Sequence, residues 1–169
     1  MKINTLQELY VAELQDIYDA EQQITKALPK MAKAATSPEL QAAFHEHLQQ
    51  TEQQIARLEE IFSNHGLPNR GKTCKGTQGL IAESEEHMKE IKDPSVLDAA
   101  LIGAAQKVEH YEMAAYGTAR NFAKLLGFNS DVNLLQTTLD EEGNTDKKLT
   151  MLAERMVNPS AASEVGGSR

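Results

Sequence analysis

The sequence predicts an all-α protein built as a bundle of four long helices. Its composition is rich in Ala, Leu, Gln, Glu and Lys, most of which favour helix, whereas Trp is absent and aromatic residues make up 5 % of the chain. Apolar residues recur every three or four positions over long stretches, which is the period of an α-helix. The few glycines and prolines lie in a handful of places, which predicts long helices joined by short connections.

The first helix is predicted to begin after Thr5, because Thr5 and Glu8 have the spacing of a capping box. Apolar residues then continue at helical spacing to Ala35. Pro29 falls inside this pattern, and since the periodicity continues beyond it, we expect Pro29 to bend the helix or lift one turn without ending it.

Similar cap, proline and glycine signals bound the other helices. They predict helices over about 38–64, 78–91 and 94–126, and a last helix from Ser130 or Asp131 to about 157. Asn158 and Pro159 are predicted to end it, so that residues 1–158 form one bundle domain and residues 159–169 a disordered tail. The short helix lies in the long stretch between the second and third long helices, which allows a crossover connection.

Charged and polar residues interrupt the apolar stripe of each long helix near its middle. They are Glu21 in the first, His47, Thr51 and Gln54 in the second with Gln50 beside His47, Glu109 and Glu112 in the third, and Glu142 and Asp146 in the fourth. A bundle could bring them to one level of the core, where unpaired carboxylates are costly and repel one another. No Lys or Arg lies at these inward positions, so metal is the natural counter-charge. Oxygen ligands with an imidazole suit iron or manganese, and a bridging carboxylate lets two ions lie close together.

Each of these residues also has a plainer interpretation. A single Glu on a helix usually faces water, and a lone His47 in a core is more often a hydrogen-bonded histidine than a ligand. The prediction of a metal site depends on the coincidence of carboxylates in three core stripes with polar side chains in the fourth. Tyr116, one turn after Glu112, could donate a hydrogen bond to a ligand.

Charge and cysteine content restrict the other functions. The formal net charge of −8 disfavours binding to nucleic acid or to an anionic membrane, because both would repel the protein. The single Cys74 excludes an intramolecular disulfide and a cysteine-based zinc site. No apolar stretch approaches the roughly 20 residues of a transmembrane helix, and the first residues lack a signal-peptide pattern, so we expect a cytoplasmic protein.

Several segments resemble the YciE/YciF family of ferritin-like proteins, closest to its YciF branch. The most specific are Asp16–Leu28, Leu97–Gly117 and Leu135–Leu149, and His47–Leu58 matches in outline. The resemblance spans about residues 3–157. It implies a ferritin-like up-down four-helix bundle with a crossover connection, a site for two metal ions (iron, or alternatively manganese), a homodimer, and an association with bacterial stress responses.

The resemblance also implies a set of metal ligands. Carried over residue by residue, it comprises Glu21, His47, Gln50, Glu109, Glu112, Glu142 and Asp146. The family's second helix typically reads His-Leu-x-Glu-Thr, whereas this chain has Gln50 in place of that Glu. A neutral amide is a weaker ligand than a carboxylate, so we expect one of the two ions to bind less tightly. Asp146 occupies a position where rubrerythrin-like proteins tend to have His.

Three functions remain open at this point. The first is a di-metal redox protein that oxidises Fe(II) or consumes oxygen or peroxide. The second is a non-catalytic dimeric stress protein whose metal is structural and which acts by binding another protein. The third, iron storage in a cage, is disfavoured because the resemblance points to a dimer.

Overall fold

The protein is all-α over the residues that the structure, a computed structural model, describes: 3–70 and 72–163. The chain forms α1 (Leu6–Ala34), α2 (Pro38–Asn64), α3 (Lys75–Glu90), α4 (Pro94–Leu125) and α5 (Asn129–Leu152). A π-helical turn, Ala153–Val157, then leads into a short α6 (Asn158–Ser163). No strand occurs within the described ranges, so the predicted fold class is confirmed.

Local sequence signals fix the starts of three of the long helices. At α1, the Thr5 hydroxyl accepts a hydrogen bond from the Glu8 backbone N–H, and the Glu8 carboxylate accepts one from the Thr5 N–H. Ser37 and Asp93 cap α2 and α4 with side-chain oxygens, and each is followed by a proline at the first helical position. Helix α1 continues through Pro29, as predicted.

The bounds of two helices differ from the prediction. Helix α3 begins at Lys75, three residues early, and α5 begins at Asn129 with no side-chain cap. Asp131, expected as a possible cap, is instead buried, and it accepts a hydrogen bond of 2.9 Å from the Tyr10 hydroxyl. Its partner lies on another helix, so the spacing around Asp131 could not reveal the contact.

The prediction that Pro159 ends the last helix is wrong. The π turn interrupts the regular α pattern before Asn158, and a new helix begins there. Pro159 therefore lies in a first helical turn, where its missing N–H removes no hydrogen bond. Residues 160–163 of the predicted disordered tail are helical, and the remaining tail residues lie outside the described range.

Contacts between helices establish a crossover topology. Thr36, just after α1, contacts Asp98 near the start of α4, whereas Asp16 in the first half of α1 contacts Tyr111 in the second half of α4. Helices α1 and α4 are therefore antiparallel, and α1 is also antiparallel to α2, which follows it after a short turn. Since α2 and α4 then run in the same direction, residues 65–93 must return along the bundle. Helix α3 lies in this connection and packs on α1 and α4.

The core consists of two apolar clusters with polar side chains between them. One cluster includes Ile24, Leu28, Phe44, Leu101 and Leu149, and the other includes Leu14, Ile17, Leu58, Phe62 and Leu135. We call the residues between them the polar layer: Glu21, His47, Thr51, Gln54, Glu109, Glu112 and Glu142. Each is at most 3 % exposed. None of the described helices is long and apolar enough to span a membrane.

Candidate metal centre

Four side chains of the polar layer converge closely enough to hold a metal ion. His47, Glu109, Glu112 and Glu142 each offer one nitrogen or oxygen atom, and these atoms all lie within 4.8 Å of one another. We call these residues the four-residue group. One comes from α2, two from α4 and one from α5, because each interrupts the core stripe of its helix at the same level. The Nδ1 atom of His47 lies 3.1 Å from Oε1 of Glu109.

Glu21 extends this group toward α1. Its side chain is fully buried, and its Oε1 accepts a hydrogen bond from the Tyr116 hydroxyl, the type of contact expected from the sequence. Burial, together with the negative charge of Glu142, raises the pKa of Glu21 to about 8. The structure therefore brings the inward carboxylates of three helices to one place.

Many polar atoms in this layer have no hydrogen-bond partner among the described residues. They are Glu21 Oε2, His47 Nε2, Gln54 Oε1, Glu109 Oε2, both carboxylate oxygens of Glu112, and Glu142 Oε2. Buried polar atoms are nearly always paired, so a concentration of unpaired ligand atoms in one layer needs an explanation. A bound cation satisfies carboxylate oxygens and an imidazole nitrogen together. These residues thus fit a metal.

Without a cation, the site is expected to hold protons instead. Burial raises the pKa of Glu109 and of Glu112 well above the usual range, and the charge of Glu142 adds to both shifts. Burial lowers the pKa of His47, which keeps its ring neutral. A neutral imidazole is the form that binds metal, and metal binding would displace protons from the carboxyl groups.

Two predicted ligands lie apart from the four-residue group. Gln50 is half-buried, and its Oε1 accepts a hydrogen bond of 3.1 Å from the Thr145 hydroxyl. Asp146 is also half-buried, and its Oδ1 accepts a hydrogen bond of 3.2 Å from Gln106 and lies 3.3 Å from Nε2 of His110. The structure thus gives both side chains other partners, and their role as ligands stays a prediction.

The polar contacts on the α5 side of the centre were not predicted from the sequence. Gln54 donates hydrogen bonds to Glu142 and, at 3.1 Å, to Glu141. Arg57 binds both carboxylate oxygens of Glu141 at 2.7 Å, and this contact raises the pKa of Arg57. Gln54 and Arg57 are three residues apart on one face of α2, a spacing that could have suggested a shared partner.

Together, the crossover bundle and its buried carboxylate layer define a ferritin-like helical protein with a candidate metal site. The chain belongs to the family described as Domain of unknown function (DUF892), whose model matches residues 5–162. Protein YciF of Escherichia coli (strain K12) is 43 % identical over 162 residues, which cover 95 % of this chain and 98 % of YciF. The assignment to the YciE/YciF family, made from the sequence, is confirmed.

Solved structures show the same fold. The crystal structure of the E. coli stress protein YciF has a TM-score of 0.88 at 43 % identity, covering 92 % of this chain and 99 % of that one. YcfI of Rhodopseudomonas palustris, described as a candidate structural protein, has a TM-score of 0.87 at 46 % identity, covering 88 % and 95 % of the two chains. A Xanthomonas campestris protein shares the fold at 20 % identity, with a TM-score of 0.75.

Proposed function

We propose that this protein is a cytoplasmic, homodimeric stress protein that binds two iron ions in its polar layer and oxidises Fe(II) with oxygen or peroxide. The observation on which the proposal depends is the convergence of four buried ligand atoms within 4.8 Å of one another. The stress role is inferred from the relative in E. coli, which is described as a stress protein.

Charge balance supports two divalent ions instead of one. Glu21, Glu109, Glu112 and Glu142 would contribute four negative charges once ionised, and two divalent cations supply four positive ones. A single ion would leave two negative charges in a layer that is at most 3 % exposed, which is unfavourable in a medium of low dielectric constant.

The donor set supports iron. Carboxylate oxygens with one imidazole nitrogen suit iron and manganese, and the described part of the layer offers no thiolate that would favour a softer metal. Two Fe(II) ions, once held by these residues, would supply the two electrons that reduce O2 with two protons to H2O2, or H2O2 with two protons to two molecules of water.

The chain's own side chains hold the ligands in place and keep bulk water out. Tyr116 fixes Glu21 by donating to its Oε1, and Gln54 fixes Glu142 in the same way. The apolar clusters above and below the polar layer exclude solvent from it. Arg57 neutralises Glu141, so this nearby carboxylate does not compete for the ions.

Metal analysis and Fe(II) oxidation test the proposal in sequence. The purified chain, incubated with Fe(II) under anaerobic conditions, is expected to retain two ions per chain, and fewer than about one would contradict the two-ion site. Oxidation of that Fe(II) by O2 or H2O2 should then exceed the rate in buffer. Glu112→Ala should abolish metal retention, whereas the matched change of an exposed residue, Glu86→Ala, should not alter it.

A second variant examines the departure from the family pattern. Gln50→Glu restores the carboxylate that the family typically has at this position, so it is expected to tighten binding of the weaker ion by adding a charged ligand. Titration with Fe(II) or Mn(II), followed by calorimetry, measures the change. An affinity equal to that of the unchanged chain would show that residue 50 is not a ligand.

A non-catalytic role is the second candidate function. It is favoured by the description of the R. palustris relative as a candidate structural protein, and by the hydrogen bond that engages Gln50 with Thr145. In this alternative the metal stabilises the bundle and a protein surface performs the function. Metal retention without any acceleration of Fe(II) oxidation would favour it over the redox proposal.

A further inference from the structure

A small cavity of about 20 Å³ lies against the candidate metal centre, on the side covered by the crossover helix α3. His47 and Glu109, both members of the four-residue group, form part of its wall. The rest of the wall comes from α1, α3 and α4. The cavity is therefore next to the ligands, and α3 covers part of its outer side.

The wall of this cavity is almost entirely apolar. Nine of the twelve lining residues are apolar, and apart from the two metal-group residues the only polar one is Ser84. Ser84 is 5 % exposed, and its hydroxyl has no hydrogen-bond partner among the described residues. Once metal occupies His47 and Glu109, this one hydroxyl is the polar group that remains for a guest molecule.

The size and polarity of the cavity determine which molecule it can bind. A volume of about 20 Å³ accommodates one molecule of about the size of water or a diatomic gas. Water needs two to four polar partners to stay in a cavity, and hydrogen peroxide has two O–H groups that would lose hydrogen bonds on entry. Dioxygen has no O–H groups and loses none.

We propose that this cavity is a binding site for dioxygen beside the candidate metal centre, and that dioxygen is the oxidant which reaches the centre from this side. The inference rests on the proposed function, since the cavity lies against the proposed ligands. It assigns a role to α3: Leu80, Ile81 and Ser84, on one face of that helix, form the outer wall of the cavity.

Paramagnetic dioxygen provides a direct test that requires no turnover. The protein is loaded with Zn(II), which is diamagnetic and redox-inert, and methyl relaxation is measured by NMR with and without O2 under pressure. Methyl groups of Ile24 and Leu28 should relax faster with O2 than those of the similarly buried Leu14 and Leu58 in the other apolar cluster. Equal enhancement in both clusters would overturn the proposal, as would a water molecule seen in the cavity by water–protein NOEs.

Two matched alanine-to-valine variants on α4 test whether the faster methyl relaxation depends on the cavity. Ala104 lines the cavity, whereas Ala123 is buried in the other cluster. Ala104→Val fills the cavity and should remove the added relaxation of the lining methyl groups, and Ala123→Val should leave it unchanged. Loss of the enhancement in both variants, or in neither, would contradict the assignment.

Kinetics separate the oxidants, and metal retention separates the two proposals. Ala104→Val should slow oxidation of bound Fe(II) by O2 and leave oxidation by H2O2 unchanged; equal slowing with both oxidants would overturn the selectivity for dioxygen. If the chain retains no Zn(II) or Fe(II), the proposed metal function fails. If it retains metal but the lining methyl groups show no excess relaxation, only the dioxygen site fails.

Discussion

Raising the pH is expected to destabilise the metal-free protein between about pH 6.5 and 8. Burial raises the pKa of Glu21 from 4.5 to about 8 in the folded chain, whereas the unfolded chain releases this proton near 4.5. Between these values the folded state binds more protons, so its stability falls as the pH rises. Below 6.5 the lowered pKa of His47 acts in the opposite direction, since the unfolded chain then binds the extra proton.

The size of this loss of stability follows from the difference in protons bound by the folded and unfolded states. Integrating the proton difference of Glu21 alone from pH 6.5 to 8 gives a loss of about 1.5 kcal/mol in the free energy of unfolding. Glu109 and Glu112 add to it with the same sign, because their pKa values are also raised. Urea denaturation in the presence of a chelator, at several pH values across this window, measures the change.

Two controls make this prediction specific. Glu21→Gln should flatten the dependence by the share of Glu21, whereas Glu60→Gln, at an exposed position of α2, should leave it intact. Added divalent metal should reverse the trend, because the ions replace the protons. Stability of the metal-free chain that is constant or rises from pH 6.5 to 8 would refute the reasoning.

Four substitutions test side-chain packing and polar contacts in the bundle by urea denaturation. Gly76→Ala should cost about 1–3 kcal/mol of folding stability, because the new Cβ would lie 2.8 Å from Cε2 of Tyr111. Gly79→Ala on the same helix meets nothing within 4 Å and should stabilise the fold by about 0.5–1 kcal/mol. Equal effects of the two substitutions would show that the contact with Tyr111 is not a clash. Asp98→Ala should cost about 2–4 kcal/mol of folding stability, because it removes the acceptor of three hydrogen bonds of 2.8 Å from the turn between α1 and α2. Unchanged stability would mean that solvent replaces these hydrogen bonds. Arg57→Met should cost about 1 kcal/mol by breaking a partly buried bidentate ion pair, with no cost expected once its carboxylate partner is also neutralised.

The sequence was sufficient for those parts of the fold that local chemistry determines. The Thr5–Glu8 capping box, and Ser37 and Asp93 before prolines, place three helix starts within a residue of those observed. The helix after residue 157 was not predicted, because Pro159 ends a helix in most contexts. No sequence signal near it predicts the π turn that precedes the new helix.

The residues of the candidate site could likewise be predicted only in part. Glu21, Glu109 and Glu112 could be placed inward because each replaces an apolar residue in a helical stripe, and all are buried in the structure. The pairing of Arg57 with Glu141, by contrast, joins two separate helices. Helical periodicity predicts which face a residue occupies, but not the register between helices, so such cross-helix partners could not be identified.

The polar layer also has a consequence for cooperativity. It divides the apolar core into two parts that lie on either side of Glu21, Glu109, Glu112 and Glu142 and share few apolar contacts across it. When that layer is charged and holds no metal, each half of the core can unfold locally with its own free energy. Amide hydrogen exchange would then detect the two halves as separate units. Metal ions held by side chains from the four long helices would join the halves, so that amides at both ends of the bundle would exchange only through global unfolding.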